Sequence, residues 1–186
     1  MKVLVLVGSL RAASFSGKIA RAAVAAAPKD MSLEILDGRD LPLFDQDLEE
    51  AGRPEAVEAF RDRVVAADAL LFVTPEFNYG IPGTLKNAID WASRPPYRSP
   101  LREKPAVIIS LSVSPTGGCR AHGQLSSVLS GTLTPLMNAP SLSISAVHEK
   151  FDESDTLTDE NTQARLRRTL EELGAWVSSR PGDSTG

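Results

Sequence analysis

The chain has 186 residues, 42% of them hydrophobic, which is enough for one domain with a sizeable core but short for two. Its net charge of −4 argues against a nucleic-acid-binding surface, and no apolar stretch approaches the ~20 residues that span a bilayer. One cysteine and two histidines exclude an internal disulfide and a Cys/His metal cluster. We therefore expect a cytoplasmic domain over residues 1–178, with no membrane or nucleic-acid partner, followed by a flexible tail at 179–186.

The first predicted elements are a buried strand over Lys2–Val7 and a helix that begins near Phe15 and ends at Pro28. The turn between them is rich in hydroxyl groups, and it contains Ser9, Arg11, Ser14 and Ser16. A helix N-terminus that follows such a turn presents free backbone N–H groups to an anion. The turn is therefore a candidate site for one terminal phosphate, as in a mononucleotide.

Two better-known phosphate loops do not fit this turn. A P-loop requires Gly-Lys followed by Ser or Thr, whereas Gly17-Lys18 is followed by Ile19. The pattern G-x-G-x-x-G of dinucleotide-binding folds is also missing. The alternative to phosphate binding is that the serines only cap the helix, and the spacing alone favours neither interpretation.

The next segment, 31–36, alternates apolar and polar residues, which predicts a half-buried strand near the sheet edge. An acidic surface segment follows at 45–50, and a helix starts after Pro54 with Val57 and Phe60 facing inward. The acidic residues could hold a metal ion. A solvated charged loop is the favoured interpretation, because no histidine accompanies them.

The third predicted strand, Ala69–Val73, is a short apolar run typical of a strand buried on both faces. The segment Pro75–Gly83 then mixes proline, glycine, aromatic and polar residues, which predicts a rigid loop. Helical spacing resumes at Thr84, with Leu85 and Ile89 on the inner face.

A proline-rich loop at 93–100 follows this helix, and its composition excludes regular structure. Its simplest role is that of a connector. Because it comes close behind the previous loop in sequence, Arg94, Tyr97 and Arg98 are also candidates for guiding an anionic substrate.

The remaining segments continue the alternation of strand and helix. A buried strand at Ala106–Leu111 ends in the polar, glycine-rich loop 112–118, and a last strand at 139–146 precedes a helix from Thr158. Regular alternation predicts an α/β fold, a doubly wound five-stranded parallel sheet with helices on both faces. With strand order 2-1-3-4-5, the loops after the first, third and fourth strands meet at the carboxyl edge, where such sheets bind ligands.

Two segments together resemble a known family. They are Gly8–Ala22, GSLRAASFSGKIARA, and Thr74–Pro95, TPEFNYGIPGTLKNAIDWASRP. Both are similar to the NADPH-dependent FMN reductases, a family of flavodoxin-like quinone, azo and chromate reductases. The P-E-F-N-Y run with L-K-N-A-I-D-W downstream is specific, and Gly117–Arg120 and Phe151–Glu153 extend the resemblance to most of the chain.

The resemblance implies a non-covalently bound FMN, with NADPH or NADH as the transient electron donor. Residues of all three loops would bind FMN: Ser9, Arg11, Ser14 and Ser16 at the phosphate, Pro75, Glu76, Phe77, Asn78 and Tyr79 at the ring edge, and Ser112 and Gly117 on its other side. Hydride would pass through the flavin to a quinone or a similar small-molecule acceptor, such as an azo compound or chromate. This scheme requires no catalytic side chain and no metal ion.

The chain departs from the family pattern at three positions. Ser16 stands where asparagine is frequent, Phe77 where tyrosine is common and Gly80 where serine is common. Because Ser16 keeps a donor, we expect FMN binding to survive this change. Phe77 cannot donate a hydroxyl hydrogen bond, which affects any acceptor preference that depends on one.

Members of the family usually form dimers or tetramers in which a neighbouring subunit completes the flavin pocket, so the resemblance implies a homodimer or homotetramer. The aromatic and apolar residues that could serve this interface are Phe77, Tyr79, Ile81, Leu85 and Trp91. For Trp91, filling a gap in the core is an equal alternative. Cys119 is interpreted as a packing residue, because no second cysteine could resolve an oxidised one.

Two other functions agree with parts of the sequence. A flavodoxin-like electron carrier or flavin-binding regulator would share the fold and the cofactor but have no turnover of its own. A serine hydrolase is disfavoured, because the sequence contains no G-x-S-x-G elbow.

Overall fold

The structure is a computed structural model, and it describes residues 1–137 and 141–180. The described residues form the strands Lys2–Val7 (β1), Ser32–Asp37 (β2), Ala69–Pro75 (β3), Ala106–Leu111 (β4) and Leu142–Ile144 (β5). They also form the helices Phe15–Ala26 (α1), Gln46–Glu50 (α2), Glu55–Ala66 (α3), Gly83–Ala92 (α4), Cys119–Gly131 (α5) and Glu160–Ser179 (α6), with a 3-10 helix at Val147–Glu149. Strands and helices alternate as predicted, except that the acidic segment forms the short helix α2.

All five strands form one parallel sheet in the order β2-β1-β3-β4-β5, so the predicted topology is confirmed. Near its centre, Val5 of β1 pairs with Ile35 of β2 on one side and with Leu71 of β3 on the other. β2 is an edge strand and is only partly buried, as its alternating pattern predicts. Of the predicted last strand at 139–146, residues 142–144 form β5, and 139 and 140 lie outside the described residues.

Successive residues of each strand point to opposite faces of the sheet, and each face has its own apolar core. On one face, Val5 and Leu71 pack in a core that includes α1 and α6. On the other face, Leu4 and Phe72 pack with residues of α3, α4 and α5. Helices therefore cover both faces, as the sequence predicts.

The L-K-N-A-I-D-W run on α4 holds the long connection between β2 and α3. The Asn87 Oδ1 accepts a hydrogen bond from the Phe44 N–H (2.7 Å), and the Asn87 Nδ2 donates to the Pro42 carbonyl (2.9 Å). One turn later, the Trp91 Nε1 donates to the same Pro42 carbonyl (2.8 Å), and the Phe44 ring packs edge-on against the indole. Trp91 is 0% exposed. Of its two predicted roles, the core-filling one is confirmed.

We expect Trp91→Phe to lower the free energy of unfolding by about 2 kcal/mol, because it removes the bond to Pro42 and leaves part of the indole volume empty. Denaturant unfolding measures this change. As a control, Tyr97→Phe at an exposed aromatic residue should change the free energy of unfolding by less than about 0.5 kcal/mol. Equal stability of the wild type and Trp91→Phe would contradict the role assigned to the indole.

The connection from α4 to β4 lies at the amino edge of the sheet, because α4 returns the chain to the end where the parallel strands begin. In this connection the Arg94 guanidinium pairs with Glu49 (2.7 Å). Arg94, Tyr97 and Arg98 therefore do not lie beside the 75–83 loop, and the prediction that they guide an anionic substrate there loses its basis. Closeness in sequence to the loop after β3 does not place them near it, since a whole helix separates the two.

The acidic segment is built into the fold by ion pairs. Glu49 of α2 pairs with Arg53 (2.9 Å) as well as with Arg94. In the described ranges no group of His, Cys, Asp or Glu residues is arranged to hold a metal ion. The segment is thus a short paired helix and not the solvated loop favoured from the sequence.

The last helix, α6, extends through Ser179, so it passes the predicted domain end at 178. The remainder of the predicted tail, 181–186, lies outside the described residues. Among the helices that the structure describes, none is both long and apolar enough to cross a membrane.

Candidate functional site

Three loops meet at the carboxyl edge of the sheet, after three adjacent strands. We name them the β1 loop (8–14), the β3 loop (76–82) and the β4 loop (112–118). The Gly8 N–H donates to the Val73 carbonyl (2.9 Å), and a Cβ on Gly8 would lie 3.0 Å from the Pro75 Cδ. The Thr84 hydroxyl, at the start of α4, donates to the Gly8 carbonyl (3.2 Å). The β1 loop therefore packs directly against the end of β3.

The β1 loop ends at the N-terminus of α1, where Ser14 is the N-cap. Its Oγ accepts a hydrogen bond from the Gly17 N–H (3.1 Å), and its own N–H donates to the Arg11 carbonyl (3.0 Å). The capping interpretation is therefore confirmed for Ser14. Helix geometry gives the N–H groups of Phe15 and Ser16 no intrahelical acceptor, so an anion could accept hydrogen bonds from them.

Ser16 and Arg11 carry polar groups that the described protein does not use. The Ser16 side chain is 1% exposed, yet its Oγ makes no hydrogen bond with any described residue. A buried hydroxyl without a partner is costly, so it usually marks the place of a ligand or a water molecule. The exposed Arg11 guanidinium forms no ion pair or hydrogen bond within 1–137 and 141–180. Together with the half-buried Ser9, these groups favour the anion-binding interpretation of the loop.

The β3 loop contains a two-residue hairpin turn. Phe77 and Gly80 exchange two backbone hydrogen bonds (2.9 and 3.0 Å) around Asn78 and Tyr79. The φ angles of Asn78 and Tyr79 are 49° and 66°, as in a type I′ turn. Asparagine tolerates this left-handed conformation, but tyrosine rarely adopts it, so surrounding contacts must hold the turn.

Glu76 attaches this turn to α5. Its carboxylate accepts hydrogen bonds from the N–H groups of Arg120 (3.0 Å) and Ala121 (3.3 Å) and pairs with the Arg120 guanidinium (3.1 Å). That guanidinium also lies over the Tyr79 ring, 4.5 Å from its centroid. Burial opposes ionisation of Glu76, but its hydrogen bonds to Ala121 and Arg120 outweigh burial and hold the pKa of Glu76 below its ordinary value. The carboxylate therefore stays charged and complements the N-terminus of α5.

The β4 loop carries a series of hydrogen-bonded hydroxyl groups. The Ser112 Oγ lies 3.0 Å from the Ser114 Oγ, which lies 2.8 Å from the Thr116 Oγ1. Gly117 and Gly118 follow with left-handed backbones, and a Cβ on Gly118 would lie 2.8 Å from a carbonyl oxygen at the end of β4. Glycine is thus required where α5 begins. The hydrogen bonds among these hydroxyl groups, together with the packing of Gly118 against the end of β4, fix the loop that contains Ser112 and Gly117.

All the residues predicted to bind FMN lie at this edge of the sheet, on the three loops, at the end of β3 or on the first turn of α1. Three residues that shape the site were not predicted, namely Thr84, Arg120 and Gln124. Arg120 has a sequence signal, because it follows the Gly-Gly pair that opens α5. Gln124 has none, since its contact is with the Ile81 N–H, 43 positions away.

The apolar residues predicted for a subunit interface fall into two groups. Phe77 and Tyr79 are 52% and 73% exposed at the hairpin turn, whereas Leu85 and Trp91 are buried in the core. Ile81 is partly buried. The interface prediction is therefore wrong for Leu85 and Trp91, because helical spacing turns them toward the sheet, and it stays a prediction for Phe77 and Tyr79.

A concavity of about 690 Å³ lies away from this site, at the amino edge of the sheet. Polar groups on its lining already bond to protein groups: the Asp68 carboxylate accepts from the Lys2 N–H (2.6 Å), and Arg180 pairs with Glu103 (3.6 Å). The unused donors of Ser16 and Arg11 instead mark the carboxyl edge as the candidate site.

Comparison with known proteins identifies the family. A sequence profile of the NADPH-dependent FMN reductases matches residues 1–149. The chain belongs to this family. An NAD(P)H-dependent FMN reductase of Pseudomonas aeruginosa is 41% identical over 177 residues, which cover 95% of each chain. A quinone reductase of Escherichia coli K12 is 37% identical over 180 residues, again 95% of each chain.

The fold of this FMN reductase family member agrees with a solved relative. The flavoenzyme NAD(P)H:(acceptor) oxidoreductase FerB of Paracoccus denitrificans superposes with a TM-score of 0.87 at 34% identity, over 95% of this chain and 97% of that one. The predicted family, flavodoxin-like fold and FMN-dependent oxidoreductase class are confirmed. The β1 loop also fits the phosphate of FMN. A phosphate has acceptor oxygens and negative charge, which match the donors of Ser16, Arg11 and the N-terminus of α1.

We expect Ser16→Ala to weaken FMN binding about tenfold while raising the free energy of unfolding of the apoprotein by about 1 kcal/mol. The binding loss follows from one missing donor to a charged phosphate, and the gain follows from removing a buried hydroxyl without a partner. FMN titration and denaturant unfolding of the apoprotein measure the two effects.

Ser14→Ala is the matched control for this prediction. Because the Ser14 hydroxyl caps α1, its loss should lower the apoprotein's free energy of unfolding by about 1 kcal/mol. If both serine variants destabilised the apoprotein equally, the Ser16 hydroxyl would have a partner within the protein, and its assignment to the phosphate would be wrong.

Proposed function

We propose that this protein oxidises NAD(P)H and reduces quinones or similar two-electron acceptors, with azo compounds and chromate as further candidates. The observation that carries the proposal is the buried Ser16 hydroxyl on the first turn of α1, which has no partner among the described residues. The Arg11 guanidinium of the preceding loop, which forms no ion pair or hydrogen bond with those residues, supports it. The relatives named as quinone reductases support the choice of acceptor.

The β1 loop would hold the phosphate of FMN. Arg11 would supply positive charge and two parallel donors, and Ser16 would supply a hydroxyl donor. The first N–H groups of α1 would supply the remaining donors to the phosphate. The Ser14 Oγ accepts from the Gly17 N–H, so its own O–H remains able to donate to the phosphate. Ser9 would complete the set from the start of the loop.

The β3 and β4 loops would hold the ring system. Pro75, Phe77, Asn78 and Tyr79 would form one wall, and Ser112 with Gly117 the other. Bound FMN supplies the centre that accepts and donates hydride. Glu76 would act without touching the ring, because its carboxylate bonds to α5 and keeps the hairpin turn in place.

No side chain near the site is required as a proton donor or acceptor. Glu76 is held in its charged form by its bonds to α5, so it is a poor proton donor near neutral pH. His122, on the second turn of α5, has a pKa lowered by burial, which keeps it neutral. The chain's own contribution is then binding and orientation of the cofactor and both substrates.

Purification followed by flavin absorbance and NAD(P)H oxidation assays tests the proposal. We expect bound or reconstitutable FMN and steady-state oxidation of NADPH or NADH with benzoquinone and no other protein. Turnover only with an added reductase would identify an electron carrier. A colourless protein that neither binds FMN nor oxidises NADPH with a quinone would overturn the proposal.

We further propose that a second copy of this chain covers Phe77 and Tyr79, giving a homodimer or homotetramer of a cytoplasmic enzyme. The exposure of two aromatic side chains at the rim of the site supports an interface there. The proposed use of NAD(P)H supports the cytoplasmic location. Light scattering on wild type and Tyr79→Ser tests the assembly, and a wild-type monomer at micromolar concentration would contradict it.

A further inference from the structure

The hairpin turn of the β3 loop is held by α5 at both of its ends. At its entry, the Glu76 carboxylate bonds to the first N–H groups of α5. At its exit, the Ile81 N–H donates to the Gln124 Oε1 on the next turn of the same helix, at 2.7 Å. The proposed function involves the first contact, through Glu76, but not the second.

The Gln124 amide also explains the residue at position 80. A Cβ on Gly80 would lie 2.7 Å from the Gln124 Oε1 and 3.5 Å from its Cδ. Gly80 is not among the residues with a left-handed backbone, so its conformation does not require glycine. Space for the amide of Gln124 is what the missing side chain provides. A side chain at position 80 would force this amide to shift, and we expect the shift to cost its bond to Ile81.

The turn needs such support because its conformation is unfavourable. Asn78 and Tyr79 both have positive φ. The Arg120 guanidinium covers one side of the Tyr79 ring, but the side chain is mostly exposed, so packing around it does little to fix the backbone. The two Phe77–Gly80 hydrogen bonds close the turn but do not set its position relative to the sheet. Contacts from outside the turn must do so, and Gln124 supplies one.

We propose that Gln124 is a positioning residue, which fixes the hairpin turn over the carboxyl edge and whose amide occupies the space that a side chain at position 80 would need. The proposal deepens and rests on the proposed function, in which this turn forms one wall of the site for the flavin ring and the acceptor. Gln124 itself touches neither. Its loss leaves the phosphate contacts of the β1 loop intact but lets Phe77 and Tyr79 move.

Amide hydrogen exchange in the apoprotein tests the contact without any need for activity. We expect Gln124→Ala and Gly80→Ala each to raise the exchange rate of the Ile81 N–H roughly fivefold, because both break the same hydrogen bond. The double variant should exchange no faster than either single one, since the bond can be lost only once. Gln124→Glu keeps an acceptor oxygen and should restore most of the protection. Ser127→Ala, on the exposed side of the same helix, is the matched control and should leave Ile81 protected.

Kinetics of the FMN-loaded protein test the positioning role. In Gln124→Ala the KM for benzoquinone should rise roughly fivefold, while FMN affinity and the KM for NADPH change less than about twofold. A purely structural role would lower stability without this split between the Michaelis constants.

The outcomes separate this proposal from the proposed function. The role of Gln124 would be overturned if the Ile81 N–H exchanged at the wild-type rate in Gln124→Ala. It would also be overturned if the increases in exchange rate of the two single variants multiplied in the double variant. If the protein shows the expected exchange pattern but binds no FMN, the contact between Gln124 and the turn is supported. Only the proposed function is then overturned.

Discussion

Replacing Arg11 by alanine should weaken FMN binding about thirtyfold while leaving the apoprotein's free energy of unfolding nearly unchanged. The guanidinium is exposed and makes no ion pair or hydrogen bond with the described part of the chain, so folding does not depend on it. Its expected partner is the phosphate, and a charge-assisted pair of hydrogen bonds to phosphate is among the stronger polar contacts that proteins make. FMN titration by fluorescence at two salt concentrations measures the loss.

Two variants sharpen this prediction. Arg11→Lys keeps the charge but loses the planar fork, so it should recover part of the affinity. Arg39, also near the carboxyl edge, is already paired with Asp37 (2.8 Å), so Arg39→Ala should change FMN affinity less than about twofold. Equal losses in Arg11→Ala and Arg39→Ala would mean that general positive charge, not a phosphate contact, controls binding. An unchanged affinity in Arg11→Ala would contradict the placement of the phosphate.

The topology could be predicted from the sequence because its signals are local and repeat along the chain. Apolar runs such as Lys2–Val7 and Ala106–Leu111 are typical of strands buried on both faces, and each is followed by apolar residues at helical spacing. Regular alternation of this kind permits few arrangements. The short helix α2 was not predicted, because its five residues include a single apolar one, Leu48, and so carry no apolar stripe. Its ion pairs with Arg53 and Arg94 come from outside the segment.

The site could be predicted in outline, but the roles of individual residues could not. Ser14 and Ser16 are equivalent as serines in a turn, yet one caps α1 and the other is buried with no partner among the described residues. Their difference depends on where the helix begins, which sequence patterns locate only to within a few residues. Trp91 was equally ambiguous, because helical spacing allows it to face the core, but its bond to the distant Pro42 carbonyl is visible only in the fold.

The contacts that shape the hairpin turn were beyond prediction for a different reason. Glu76 bonds to α5 residues 44 and 45 positions away, and Ile81 bonds to Gln124 at a separation of 43. Hydrophobic periodicity and capping rules act over a few residues, so they cannot pair such groups. The family motif marks Glu76 as important, but the fold assigns its carboxylate to a helix N-terminus.

Glu76→Ala should lower the free energy of unfolding by about 2 kcal/mol at neutral pH, because it leaves two N–H groups of α5 and the Arg120 guanidinium without their acceptor. Most of this loss should come from the N–H groups, since the Arg120 side chain is half exposed and water screens its pairing. The turn would then keep only its Gln124 hydrogen bond to α5, whereas Gln124→Ala leaves the three bonds of Glu76 in place, so FMN affinity should fall severalfold in Glu76→Ala. Denaturant unfolding and FMN titration measure the two effects.

The pH dependence of stability separates the charge of Glu76 from its shape. The folded pKa lies below the ordinary value of 4.5, so the unfolded chain binds a proton first as the pH falls. The stabilisation from the charged form is therefore complete above pH 4.5 and is lost as the pH falls through the lowered folded pKa. Glu76→Gln keeps one acceptor oxygen and cannot titrate, so the wild type should exceed it in stability at pH 7, by a margin that shrinks on acidification. A margin that stayed constant from pH 7 to pH 3 would show that Glu76 holds the turn by packing alone, and the electrostatic account of its attachment to α5 would then be wrong.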